Sequence, residues 1–494
     1  MRLPLQPKLR FNRQEVSEWK YTSGIYNGIV ESGDTPYTTS RPKITQLKDA
    51  SVLGVGSKGR GSYYWKKVDE TYLVNDQNVY RSKYLTTLTG ATLTTGDERV
   101  YFAEVGNYLC ILDPQGNKGY YIDSAAPTVV VEITDVAFPP KQTPALQLAK
   151  GAVGLKGRLY VMDTDGTIWN SALEDPSTWS GGDNINAEIE NDKGVYIAKH
   201  KNHILAFGDT TTEVFYHAGN PTNSPLSARQ DIYFDVGCVD FSTVSEAGEY
   251  LYFVGKSKNG SRGVYRFSGF SLSKISEPDF DWYLSYDNIS TQQQEQLVAA
   301  TASIGGRDFY IVTVYANETY VYDSYSGYWY EWSFDEASVT ALPVMAWADA
   351  EPSSQQSIGI LRNGDLVQML SDINTTGNDL VQFKVLTGHQ DFESRKIKFM
   401  SDVTLDVTVT TADVEETSQT AQLRFYDNGE NSSVGLPTHD IELLDRHVSS
   451  AGASNVLARA GSFRTRNFEI TLPTDATRTR VELYSLEFNI REGL

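Results

Sequence analysis

A motif returns about every fifty residues along this chain: an aromatic and β-branched run, a turn rich in Gly, Asp or Asn, then a second such run. It occurs as Arg158 to Ser171 around Asp163-Thr164-Asp165-Gly166, His203 to Gly219 around Gly208-Asp209, and Tyr250 to Gly269 around Asn259-Gly260. It recurs as Asp308 to Trp332 around Ala316-Asn317 and Ser357 to Leu370 around Asn363-Gly364. Leu159, Ile204, Leu251, Phe309 and Ile358 stand 45, 47, 58 and 49 residues apart. A unit this small cannot bury its own faces, so the units must stack or close on themselves, and a β-propeller is the usual solution. Five blades are clear. One or two more are expected before residue 125, where Tyr72 to Val74 and Val79 to Tyr80 flank an Asn75-Asp76 turn.

At 494 residues the chain exceeds one ordinary hydrophobic core. Its 30 Tyr and 20 Phe against 5 Met favour pleated surfaces over helices. The only segment with helix signals is Thr291 to Ala300, capped by Ser290 or Thr291 with Gln294 at the capping-box position. Residues 1 to about 50 lack periodicity and carry Pro4, Pro7, Pro36 and Pro42, which suggests an arm. Its first twenty residues are net basic, which suits either an acidic neighbouring subunit or a frayed terminus. Beyond Asn374 the rhythm stops and longer runs follow: Val381 to Leu386, Ile397 to Thr411, Ala421 to Tyr426, Phe463 to Leu472 and Arg480 to Ile490. Val403, Leu405, Val407 and Val409 alternate with polar residues, as in a strand with one wet face. Asp427-Asn428-Gly429 is expected to be a tight turn and Ser449 to Ser454 a flexible loop. The expected fold is all-β: an extended N-terminal arm and loop (1–70), a β-propeller (71–373) and a C-terminal β-sandwich-like domain (374–494).

Cys110 and Cys238 are too few to staple the chain and have no metal-ligand spacing, so both are expected to be buried apolar side chains. No secretory leader or membrane span is recognisable, which points to synthesis in a reducing compartment. The net charge of −20 argues against coating DNA. It suits solubility, or a surface past which DNA slides without sticking.

Motifs that carry chemistry are sparse. Asp163-Thr164-Asp165-Gly166 lacks the later ligands of a calcium loop and the spacing of a sialidase Asp box, so it reads as a hairpin turn. Glu277, Asp279 and Asp281 beside Trp282 and Tyr283 form the one acidic cluster with aromatics suited to sugars. His200 and His203 would face opposite sides of a single strand, which spoils joint metal ligation. Gly54 to Gly61, with Lys58 and Arg60, reads as a mobile loop, a contact to a partner being the sharper alternative. The cluster of Tyr320, Tyr322, Tyr325, Tyr328, Trp329, Tyr330 and Trp332 places rings on both faces of a strand; either blades pack on it or a neighbouring subunit covers part of it. Nothing assigns a catalytic residue, a cofactor site or a metal.

The order Phe207-Gly208, Glu213, Phe215, Gly219, then Gly237-Cys238 and Val244, then Phe253-Val254-Gly255, Val264-Tyr265-Arg266, Gly269 and Ile275-Ser276 continues into Phe309-Tyr310, Thr319-Tyr320-Val321-Tyr322-Asp323 and Trp329. That order resembles the packaged-DNA stabilisation or tail nozzle (tail hub) proteins of short-tailed bacteriophages. Arg41-Pro42 with Ile44-Thr45, and Phe468-Glu469-Ile470 with Glu487-Phe488-Asn489-Ile490, are similar in kind. The resemblance implies a non-enzymatic virion protein in the tail, made in the host cytoplasm. It implies a hexameric ring below the portal and adaptor that closes the channel, retains packaged double-stranded DNA and passes it during ejection. Tailspikes or fibres, and a tail needle, would be its further partners. The alternative is a β-propeller that binds or cleaves host-surface glycans through Asp279, Asp281 and Trp282.

Overall fold

The computed structural model describes residues 2–4, 24–31, 36–48, 58–81, 86–187, 192–239, 241–285, 297–304, 306–314, 318–333, 344–348, 357–370, 383–387, 392, 394, 396–411, 419–427, 437–443, 456–458, 460–472 and 479–492. Among these, helix is confined to Pro139–Gln142, Pro278–Tyr283 and a 3₁₀ turn at Phe241–Thr243. The chain is all-β, a propeller with an N-terminal arm and a C-terminal β-sandwich.

Among the described residues seven sheets form the ring, and their inner strands in order are Gly59–Trp65, Tyr101–Val105, Val153–Leu155, Gly194–His200, Val236–Cys238 with Ser245–Ala247, Val298–Ile304 and Val344–Trp347. Val344–Trp347 packs on Val298–Ile304 on one side and on Gly59–Trp65 on the other, so the last blade meets the first. The second strand of each blade lies between two neighbouring blades and is apolar on both faces: Tyr72, Leu73 and Val74 are fully buried, as are Tyr160 and Val161, and Ile204 and Leu205. This explains why the sequence shows continuous apolar runs at these places and not alternation.

In blades one to six the hairpin turn before this strand holds a left-handed residue: Asp69, Gly106, Lys156 with Gly157, Lys201, Gly248 and Gly306. The following turn is held by side chains. At Asp163, Oδ1 accepts the amides of Asp165 and Thr167 at 2.9 Å each, and Oδ2 accepts Trp169 Nε1 at 3.0 Å. The motif is a hairpin turn, as its spacing suggests.

Closure comes from the N-terminal side. Lys43–Lys48 is the outer strand of the seventh blade, antiparallel to Leu366–Leu370 with Ile44 opposite Met369. Gly24–Tyr26 joins the sixth blade, Tyr26 opposite Glu331, to Phe383–Leu386. That blade therefore continues into a C-terminal sheet of Phe383–Leu386, Arg466–Leu472, Gln419–Asp427 and Thr438–Leu443. A second sheet, built on Lys398–Thr411 and Thr479–Glu492, packs over it. Val403, Leu405 and Leu483 from one sheet share a core with Leu423, Phe468 and Ile470 from the other. Arg41 ties the arm to blade six by donating to Ser333 O at 3.0 Å and Asn27 Oδ1 at 3.3 Å.

Two expectations fail. Of the helix over Thr291 to Ala300, residues 291–296 lie outside the described residues, and Ala299 and Ala300 belong to the strand Val298–Ile304. Packing between blades overrides a propensity that depends on small residues. Gly59 to Gly61 is likewise no mobile loop but the start of the first inner strand, where a Cβ on Gly59 would overlap Leu361 O of blade seven. The adjoining residues 54–57, and the turns at Ala316-Asn317, Asn428-Gly429 and Ser449 to Ser454, lie outside the described residues.

Candidate functional site at the propeller axis

The inner strands converge on an axis that is not an open bore. Arg99, just before the inner strand of blade two, donates from Nη1 to Ser242 O of blade five at 3.0 Å and to Ala299 O of blade six at 2.9 Å. It also lies 6.0 Å over the Tyr101 ring. Tyr101 in turn meets Tyr196 of blade four edge-on, with centroids 5.4 Å apart. Burial pushes the Tyr196 hydroxyl up to about 12, against a lowering pull from Arg99 and alongside a raising one from Glu246. Beside these groups is a cavity of about 440 Å³ lined from blades one to five, with Tyr63, Phe102, Glu104, Tyr196, Lys199 and Glu246 as its functional groups. Tyr63 stacks on Phe102 at 5.5 Å and 18° and donates its hydroxyl to Glu104 Oε1 at 2.9 Å. Sequence patterning missed this set because its members come from four separate blades; their common signal is position on an inner strand.

The sequence candidates settle elsewhere. In the acidic cluster, Asp281 pairs with Lys274 at 2.6 Å and accepts from Ser276, while Tyr283 donates to Glu318. The short helix carrying them wedges Phe280 against Trp329, at 4.9 Å, between blades five and six. The Asp279 side chain is not among those described, and the described ones bring no two carboxylates face to face.

His200 and His203 prove to be cross-strand partners about the Lys201–Asn202 turn, so their side chains share a face and do not oppose one another. His200 is buried and its Nε2 accepts the Gly269 amide at 2.9 Å; His203 meets the Phe270 ring at 4.8 Å. Burial lowers the pKa of both, helped at His200 by Lys201 and at His203 by Arg229. No group of three metal-ligating side chains occurs among the described residues. Cys110 and Cys238 are buried, and burial raises the Cys110 thiol pKa.

The aromatic cluster is covered from within the chain. Trp329 Nε1 donates to Ile275 O at 2.9 Å, the Tyr330 hydroxyl accepts the Val30 amide at 2.9 Å, and Tyr322 lies 6.1 Å from Tyr252. Only Tyr325 of this group is exposed, at 59%. Arg60, in the stretch read as a mobile loop, is instead wholly buried, bonded to Glu98 O, Asp76 O, Thr94 O and Asp113 Oδ1. No helix among the described residues is long and apolar enough to cross a membrane.

A family model described as Phage_stabilise, bacteriophage P22 Gp10, beta-propeller, matches residues 30–342, more than half of the 494. No curated protein matches the chain. Solved structures similar to it include the β-propeller domain of Cps50 (Swd1) from Myceliophteria thermophila, at 10% identity and TM-score 0.40, covering 67% of this chain and 100% of that one. The N-terminal domain of Nup159 matches at 9% and 0.40, covering 71% and 99%. BamB from Moraxella catarrhalis matches at 12% and 0.33, covering 66% and 98%.

Proposed function

Since the chain belongs to the phage-stabilisation family described as bacteriophage P22 Gp10, beta-propeller, we propose that it is the tail nozzle or hub subunit of a short-tailed phage. In this role it is a structural virion protein without catalytic activity. Six copies form a ring below the portal and adaptor, close the channel, retain packaged DNA, pass it at ejection and hold tailspikes or fibres. The observation that carries the reading is the extent of the family match, which runs from the hairpin at Gly28–Glu31 through six blades.

The bridged axis supports it. A duplex whose major groove alone is about 12 Å wide has no path past an arginine that spans the ring by direct hydrogen bonds. The DNA passage therefore belongs between copies, around an axis that the assembly shares. A head-to-tail contact that closes on itself is the interface such a ring requires. The net charge of −20 suits a wall that DNA slides along without holding.

Mixing the purified chain with portal–adaptor particles tests this. We expect rings of six on those particles by mass photometry and electron microscopy, and DNA-filled particles that leak less with the ring in place. A strict monomer that never joins the particles would overturn the assignment.

A further inference from the structure

We propose that the axial cavity is a saccharide-binding site that takes the terminal units of a neutral oligosaccharide, an activity beyond ring assembly and independent of it. Its volume, about 440 Å³, falls within the range of roughly 300–1,000 Å³ typical of small-ligand sites. Its lining exposes somewhat more polar than apolar surface, as a ligand rich in hydroxyls requires. The stacked pair Tyr63 and Phe102, half-buried at its edge, offers the flat apolar surface on which a sugar ring packs its C–H face.

The polar groups select the ligand class. Glu104 and Glu246 are exposed acceptors and Lys199 is an exposed donor. An anion would meet the two carboxylates, and a cation would meet the ammonium of Lys199. A neutral polyol satisfies both kinds, because each hydroxyl donates and accepts. The bond from Tyr63 to Glu104 holds that carboxylate beside the aromatic pair before any ligand arrives, which lowers the ordering cost of binding. The lining residues come from five blades, so the cavity exists only in the closed ring.

Ligand-observed saturation-transfer NMR on the full-length protein, with chitotriose, maltotriose and a panel of neutral O-antigen fragments, tests the proposal. Transfer to at least one saccharide is expected, with affinity reduced about tenfold or more by Phe102→Ala and by Glu104→Gln. It is expected to be unchanged in Asp165→Asn, which alters an exposed turn. Should Phe102→Ala unfold the ring, Glu104→Gln alone still decides. No transfer to any panel member, transfer indifferent to both substitutions, or binding of a basic peptide of residues 1–20 in place of saccharides would each overturn it. None of these outcomes touches the assembly assay.

Discussion

At the scale of single residues, a charge that the sequence makes look external can be part of the core. Arg60 sits in a Gly-rich basic stretch, yet its side chain is 0% exposed and is paired with Asp113, likewise 0% exposed, at 2.6 Å. Three backbone carbonyls from the neighbouring turns complete its coordination. Removing one member of such a pair strands the other, so Arg60→Ala is expected to cost about 3–5 kcal/mol, read as a lower urea midpoint. His200 gives a pH signature. Its folded pKa is depressed, so its contribution is intact above the unfolded value of about 6.5 and is lost as pH falls through the folded one. The wild type should lose more melting temperature between about pH 7.5 and pH 5 than His200→Gln does, measured by calorimetry at both pH values. Neither site was legible from sequence, because burial of Arg60 and the pairing of His200 with His203 depend on which strands become neighbours.

Elements were more legible than their partners. The apolar runs around Tyr72, Leu159, Ile204, Leu251 and Phe309 mark the buried second strands, and the five C-terminal runs reappear as strands. What patterning did not reveal was the left-handed residue before the second strands of blades one to six, a turn requirement met by Asp, Lys or Gly and thus by no single letter. Nor could it show that Lys43–Lys48, in a stretch without visible periodicity, completes a blade whose other strands lie some three hundred residues on. Ile44 is 3% exposed in that blade. Burying a carboxylate there without a partner is prohibitive. Ile44→Asp should release the closing strand and raise amide exchange at Val367 to Met369 well before that of Tyr72 to Val74, as hydrogen-exchange mass spectrometry would show. Equal acceleration in both places would mean that the ring opens as one unit and that the seventh blade is not its weak point.

For the molecule as a whole, the aromatic surplus serves internal packing: rings link blade to blade and blade to sandwich, leaving Tyr325 as the exposed member of its cluster. Charge is the outward property. With −20 overall, the chain should fail to retard duplex DNA in a gel even at about 50 mM salt, where counterion release most favours binding; a shifted band would refute a sliding wall.

The arm strand that completes the seventh blade also sets a timetable. Lys43–Lys48 leaves the ribosome some three hundred residues before Leu366–Leu370, which at about 5–20 residues per second is a wait of tens of seconds. Until then the rim strand, made first, has no partner and presents open edges, a template for unwanted pairing. Premature termination anywhere before residue 366 would leave those edges permanently bare, so quality control over the whole ring rests on the arrival of its final segment.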